Sequence, residues 1–85
     1  MALKYVIMDD GLLEHPVIFD KIINHNDMAN CLPGKAVRAG FCYISNIITD
    51  EDGNPQYVCY GESTSLKLKS DQKKDAELIN RMDRQ

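Results

Sequence analysis

Tryptophan is absent, and four tyrosines and two phenylalanines supply every aromatic side chain. Long apolar runs are missing too. The first, Tyr5-Val6-Ile7-Met8, is stopped at once by Asp9-Asp10, too short for a signal-peptide core or a membrane span. The three cysteines, Cys31, Cys42 and Cys59, are an odd set at wide spacing without a CxxC pair, which argues against a disulfide framework and against a zinc knuckle. Reduced thiols in the cytoplasm are the simpler reading. No Pro/Gly/Ser-rich stretch, internal repeat or low-complexity tract divides the 85 residues, so residues 1–85 read as a single domain. An excess of positive charge is also missing. With a net charge of −3 and acids at Asp9-Asp10, Glu14, Asp20 and Asp50-Glu51-Asp52, the composition argues against binding to nucleic-acid phosphates.

What is present is ordinary globular material, 44% hydrophobic and 27% charged, unlike a disordered chain. A chain this short buries only roughly 60% of its unfolded surface, so a partner that covers more of it is expected. Tyr5–Met8 and Pro16–Phe19 read as strands around the turn residues Asp9-Asp10-Gly11, with Pro16 suited to a strand start or an edge. Asn24 or Asn26 can cap a helix of at most two turns, ended by Pro33-Gly34. Ala36–Ile48 is the best strand, with Val37, Ala39, Phe41 and Tyr43 on one face and Arg38, Gly40, Cys42 and Ile44 on the other. The Asp-Gly-containing turn after it leads into Tyr57–Tyr60, so residues 36–60 form a long antiparallel hairpin. Gly40 marks a bulge, a bend or a close approach by the helix.

Glu62–Lys69 alternates loosely, with Leu66 and Leu68 inward and Lys67 and Lys69 outward, as a short extra strand or an extended loop. Ser70 is the expected cap of a final amphipathic helix in which Ala76, Ile79 and Met82 recur at helical spacing beside Leu78. Early Asp71 and late Arg81 and Arg84 suit the helix dipole, and Lys73 and Lys74 oppose it. The resulting fold class is α+β: a mostly antiparallel sheet of about four strands packed against a C-terminal helix, plus one short helix.

Candidate chemistry is sparse. His25, beside Asn24, Asn26 and Asp27, can act as a base or ligand near neutral pH, although capping explains these residue types better, on backbone grounds alone. Gly61-Glu62-Ser63 followed by Ser65 begins like a nucleophile elbow but lacks its final Gly, its helix and the Lys of a P-loop, which leaves a solvated turn or a contact for a partner or small anion. Cys42 and Cys59 can face each other across the hairpin, as buried core thiols rather than nucleophiles. Two histidines and scattered carboxylates offer no metal-ligand spacing, so neither metal nor cofactor is expected. The tyrosines are expected in the core or an interface with their phenol ends at the surface. Arg38, Lys67 and Lys69 are the one basic group that could touch nucleic acid, amid neighbouring acids.

Ala39-Gly40-Phe41, Val58-Cys59-Tyr60-Gly61-Glu62-Ser63 with Ser65-Leu66, and Asp75-Ala76-Glu77-Leu78-Ile79 resemble a pattern in short bacterial and prophage proteins. The resemblance is best in the C-terminal half. It implies a phage or mobile-element accessory protein and supplies no activity to transfer. The leading expectation is therefore a non-enzymatic interaction or regulatory module that presents an acidic surface or a sheet edge to another protein or to a second copy of itself, as a homodimer. The alternative is a small-ligand or hydrolytic site built from His25 and the Glu62–Ser65 loop, with Arg38 as a further contact residue.

Overall fold

A computed structural model describes residues 2–83. Its elements are β1 (Leu3–Asp9), β2 (Glu14–Phe19), α1 (His25–Asn30), β3 (Lys35–Thr49), β4 (Pro55–Tyr60), β5 (Glu62–Ser63), β6 (Leu68–Lys69) and α2 (Gln72–Asp83). The first four strands form one sheet in the order β2-β1-β3-β4, each neighbour antiparallel, and β5 and β6 form a separate two-stranded ribbon. This is the α+β fold expected of the sequence, a four-stranded antiparallel sheet with a C-terminal helix across one face and a short helix besides.

The unbroken run Tyr5-Val6-Ile7-Met8 makes sense in this order. β1 is an inner strand, and all four residues are buried because both sheet faces are covered. Tyr5 and Ile7 join Cys42, Cys59 and Ile79 beneath α2, while Val6 and Met8 join Phe19 and Ala39 beneath α1, Leu66 and Leu68. The loosely alternating segment 62–69 is thus a small hairpin that points two leucines inward and leaves both lysines exposed.

Two turn-building acids account for much of the clustered negative charge. Asp10 Oδ1 accepts hydrogen bonds from the backbone N–H groups of Leu12 and Leu13 at 2.9 and 2.8 Å, closing the β1–β2 turn. These bonds and His15 hold the Asp10 carboxyl down at about 2. At the tip of β3–β4, Asp50 Oδ1 accepts from the N–H groups of Asp52 and Asn54, both at 2.9 Å, while Gly53 takes a φ of +83°.

The face pattern expected for β3 needs one correction. Ile7 pairs with Arg38 but Met8 pairs with Ala36, so Val37 is the extra residue of a β-bulge. Val37 accordingly packs with the Tyr5 cluster under α2 instead of sharing a face with Ala39. The cap of α2 differs too. Asp71 Oδ1 accepts from Lys74 N, and Asp75 Oδ2 reaches back to accept from Asp71 N at 2.9 Å, a reciprocal cap one residue later than Ser70. Ser70 instead donates its hydroxyl to the Gly61 carbonyl at 2.7 Å, tying the start of the ribbon to its end. Met82 is 41% exposed, so the buried stripe of α2 runs through Asp75, Ala76 and Ile79. Arg84, expected near the end of this helix, lies outside the described residues.

Candidate functional site

His25 is the first residue of α1, capped by Asn24, whose Oδ1 accepts from Asn26 N at 2.8 Å. Its ring is buried between Phe19 and Phe41, edge to face with both at centroid distances of 5.5 and 5.6 Å. Nε2 lies 2.9 Å from the Gly40 carbonyl oxygen. Because a carbonyl only accepts, Nε2 carries the proton of the neutral ring. Burial pushes the imidazole below its usual range, the Gly40 bond opposes that shift, and the nearby Lys4 charge adds to it.

The hydroxyls of the Glu62–Ser65 loop serve the loop. Ser63 is buried, and its Oγ lies 3.3 Å from Ser65 Oγ and accepts from Leu66 N at 3.2 Å, closing the turn between β5 and β6. Glu62 and Ser65 are exposed. Among the described residues no hydrogen bond joins His25 to this loop. Its one hydrogen-bonding contact, at Nε2, is to the Gly40 carbonyl.

Arg38 lies on the opposite, α2-facing side of the sheet. Its Nε donates to Asp75 Oδ1, while Nη1 and Nη2 donate to both oxygens of Glu14 at 3.1 and 2.6 Å. Two carboxylates thus neutralise it, which removes it from any basic group with Lys67 and Lys69. The paired guanidinium holds the Glu14 carboxyl below its ordinary range.

The centre of this network, Asp75, is missed by a reading of sequence alone. It is fully buried and accepts from Tyr5 Oη at 2.6 Å as well as from Arg38 and Asp71 N. The one available signal is its place four residues before Ile79, on the inward stripe of α2. Tyr5 is likewise a correction to the expectation of surface phenols, because its hydroxyl ends in the core. Burial first, then Asp75, pushes that phenol far above its ordinary range. Asn80 was equally silent in the sequence. Its side-chain amide docks on the outer edge of β4, accepting from Tyr57 N at 2.7 Å and facing Tyr57 O at 3.4 Å.

Cys42 and Cys59 are register partners on β3 and β4, both buried, and burial raises their thiols to about 11 and about 12. Neither is a nucleophile at neutral pH. Cys31 is exposed. An aromatic disulfide reagent is expected to react rapidly with one thiol per native chain and with all three after denaturation. Rapid reaction of all three native thiols would place Cys42 and Cys59 at the surface.

One group of exposed apolar side chains lies at the far end of β3–β4. Ser45 pairs with Gln56 and Thr49 with Pro55, so residues 46–48 bulge from the ladder, held by Ser45 Oγ, which accepts from the N–H groups of Ile47 and Ile48, both at 3.2 Å. Ile47 is 93% exposed, Ile44 and Ile48 53% each. Tyr43 and Tyr60 are partly exposed on the other face, where Phe41 and Tyr60 stack at 5.8 Å. No charged residue occurs between Arg38 and Asp50 or between Asp52 and Glu62. A second apolar group, Leu12, Leu13 and Met82, lines a groove with Pro16 and Leu78, but Glu14, His15 and Arg81 lie among them.

Compared with protein-family models, curated proteins and solved structures, the chain matches none. Among the described residues, no three His, Cys, Asp or Glu side chains converge as metal ligands would, and no helix is long and apolar enough to cross a membrane.

Proposed function

We propose that this chain is a non-enzymatic interaction module that docks through the distal β3–β4 arm, as a regulatory accessory protein of a phage or mobile element in the cytoplasm. One observation carries the reading: the arm is free of charge along both strands yet leaves Tyr43, Ile44, Ile47, Ile48 and Tyr60 open to water. Isolated exposed apolar residues need no explanation, but isoleucines and tyrosines gathered on the two faces of one uncharged arm have the composition of an interface centre. The bulge at residues 46–48 also interrupts the ladder near its end, and Asn80 occupies the β4 edge at Tyr57. Face packing by side chains therefore suits the arm better than strand addition. The free buried thiols are consistent with a reducing compartment. A site of small-ligand or hydrolytic chemistry on His25 and the Glu62–Ser65 loop would first have to give up the hydrogen bonds that His25 and Ser63 make within the fold.

A photoreactive phenylalanine at position 47, expressed in the native host, is expected to give a discrete adduct. The same group at exposed Glu77 should give none, and Ile48→Asp should abolish the adduct without changing the melting temperature by more than a few degrees. The adduct's mass tells a second copy from a different protein. Equal labelling from positions 47 and 77, or none from 47, would sink the proposal.

A further inference from the structure

The six-residue helix α1 is too short to hold itself together in water, since isolated helices below ~12–15 residues are marginal. Its place on the sheet depends on what its first residues grip. Two side-chain bonds secure them: Lys4 Nζ of β1 donates to the Ile23 carbonyl at 2.9 Å, and His25 Nε2 donates to the Gly40 carbonyl of β3. The ring between Phe19 and Phe41 is the deepest polar group of the segment, and α1 with Leu32 covers Val6, Met8, Phe19 and Ala39.

We infer that His25 is an acid-releasable clasp: its protonation frees α1 from the sheet and uncovers the part of the apolar face of Val6, Met8, Phe19 and Ala39 that α1 covers. A cation in this place meets two phenyl rings and the Lys4 ammonium. The charged and titratable groups around it are few. β1 contributes Lys4, and β2 and β3 face the ring with Phe19, Phe41 and the Gly40 carbonyl. α1 itself carries Asp27, which is exposed and two residues along the helix. Among the described residues, no carboxylate is bonded to the imidazole. Once α1 is released, the ring regains water and takes up a proton in its ordinary range.

The sign follows from linkage. Above about pH 6.5 the ring is neutral whether docked or released, so pH has no effect. Below that value the released form binds a proton that the docked form refuses, so docking weakens as pH falls, until the lowered docked pKa is passed. Glu14 and Asp10 do not intrude in this window, because both are held below their ordinary values.

Amide hydrogen exchange, corrected for the intrinsic effect of pH, is expected to show protection across residues 23–32 falling by up to about fivefold between pH 6.5 and 5.5, with that of β1 and α2 unchanged. Bound dye fluorescence should rise over the same range. In His25→Gln, whose amide can still donate to Gly40, this dependence should vanish, whereas His15→Asn should retain it. Should the Gln variant fail to dock α1 at any pH, the wild-type proton resonances decide the question. His25 must titrate below 6.5, with α1 amide shifts tracking it. Titration of His25 at or above 6.5, titration with α1 unmoved, or loss of protection equal in wild type and His25→Gln would each overturn the inference.

Discussion

Replacing Asp75 with alanine is expected to cost about 2–4 kcal/mol, the cost of leaving buried donors without their shared acceptor while Arg38 keeps Glu14. The removed carboxylate accepts from Tyr5 Oη, Arg38 Nε and Asp71 N, and Tyr5 is fully buried beneath α2, where water does not replace the lost partner. The same change removes the return half of the cap of α2. An 85-residue chain has roughly 4–13 kcal/mol of total stability, so the loss is a large fraction of it and should lower the unfolding midpoint markedly. Urea unfolding followed by far-ultraviolet circular dichroism measures it, as there is no tryptophan to report. The mechanism makes a second demand. Tyr5→Phe alone should destabilise, but in the Asp75→Ala background much of its effect should disappear, with a coupling of about 0.5–3 kcal/mol. A loss under about 1 kcal/mol for Asp75→Ala, or strict additivity with Tyr5→Phe, would show that the network contributes little.

Gly40→Ala, a single added methyl, should cost about 3 kcal/mol, near the upper end for overpacking. The new Cβ would lie 2.5 Å from the Tyr60 carbonyl oxygen, 3.1 Å from Ser70 Cβ and 3.3 Å from the Tyr5 ring. The first of these neighbours is backbone, bound into the β3–β4 ladder, so relief requires β4 and the ribbon to move away from β3. Ser70 would have to give way on the other side, disturbing the hand-over from the ribbon to α2. Gly53→Ala is the control. It has open space at Cβ and a left-handed φ of +83°, so it should cost only about 1 kcal/mol of backbone strain. Equal losses at the two positions would mean that steric exclusion at Gly40 is not the cause.

The strands were legible because their signals are local. Tyr5–Met8 and Ala36–Ile48 are apolar and β-branched or aromatic, and each ends at turn residues whose side chains bond the backbone, as Asp10 and Asp50 do. Gly40 reads in the sequence as a bulge, a bend or a close approach by the helix, and what approaches it is the Tyr60 carbonyl, Ser70 and the Tyr5 ring, none of them helical. Val37 was misplaced because a bulge is a relation between two strands and leaves no trace in either. The candidate site was harder still. His25 stood out as reactive, yet what governs its proton is the Gly40 carbonyl fifteen residues away and rings from two strands. The role of Asp75 is not legible in the sequence because Tyr5 and Arg38 are seventy and thirty-seven residues distant.

By itself the order of residues determined the elements, the antiparallel hairpins, the α+β class and the absence of charge along the arm, because alternation, capping and turn preference act over a few neighbouring residues. Tertiary structure alone decided which polar side chains became interior. Arg38, Asp75 and Tyr5 neutralise one another under α2, and His25 is sealed between two phenylalanines. The reason is desolvation: a charge or imidazole acquires its protonation preference and its energetic weight from the water it loses and the partner it meets, and both are set by packing across the sheet.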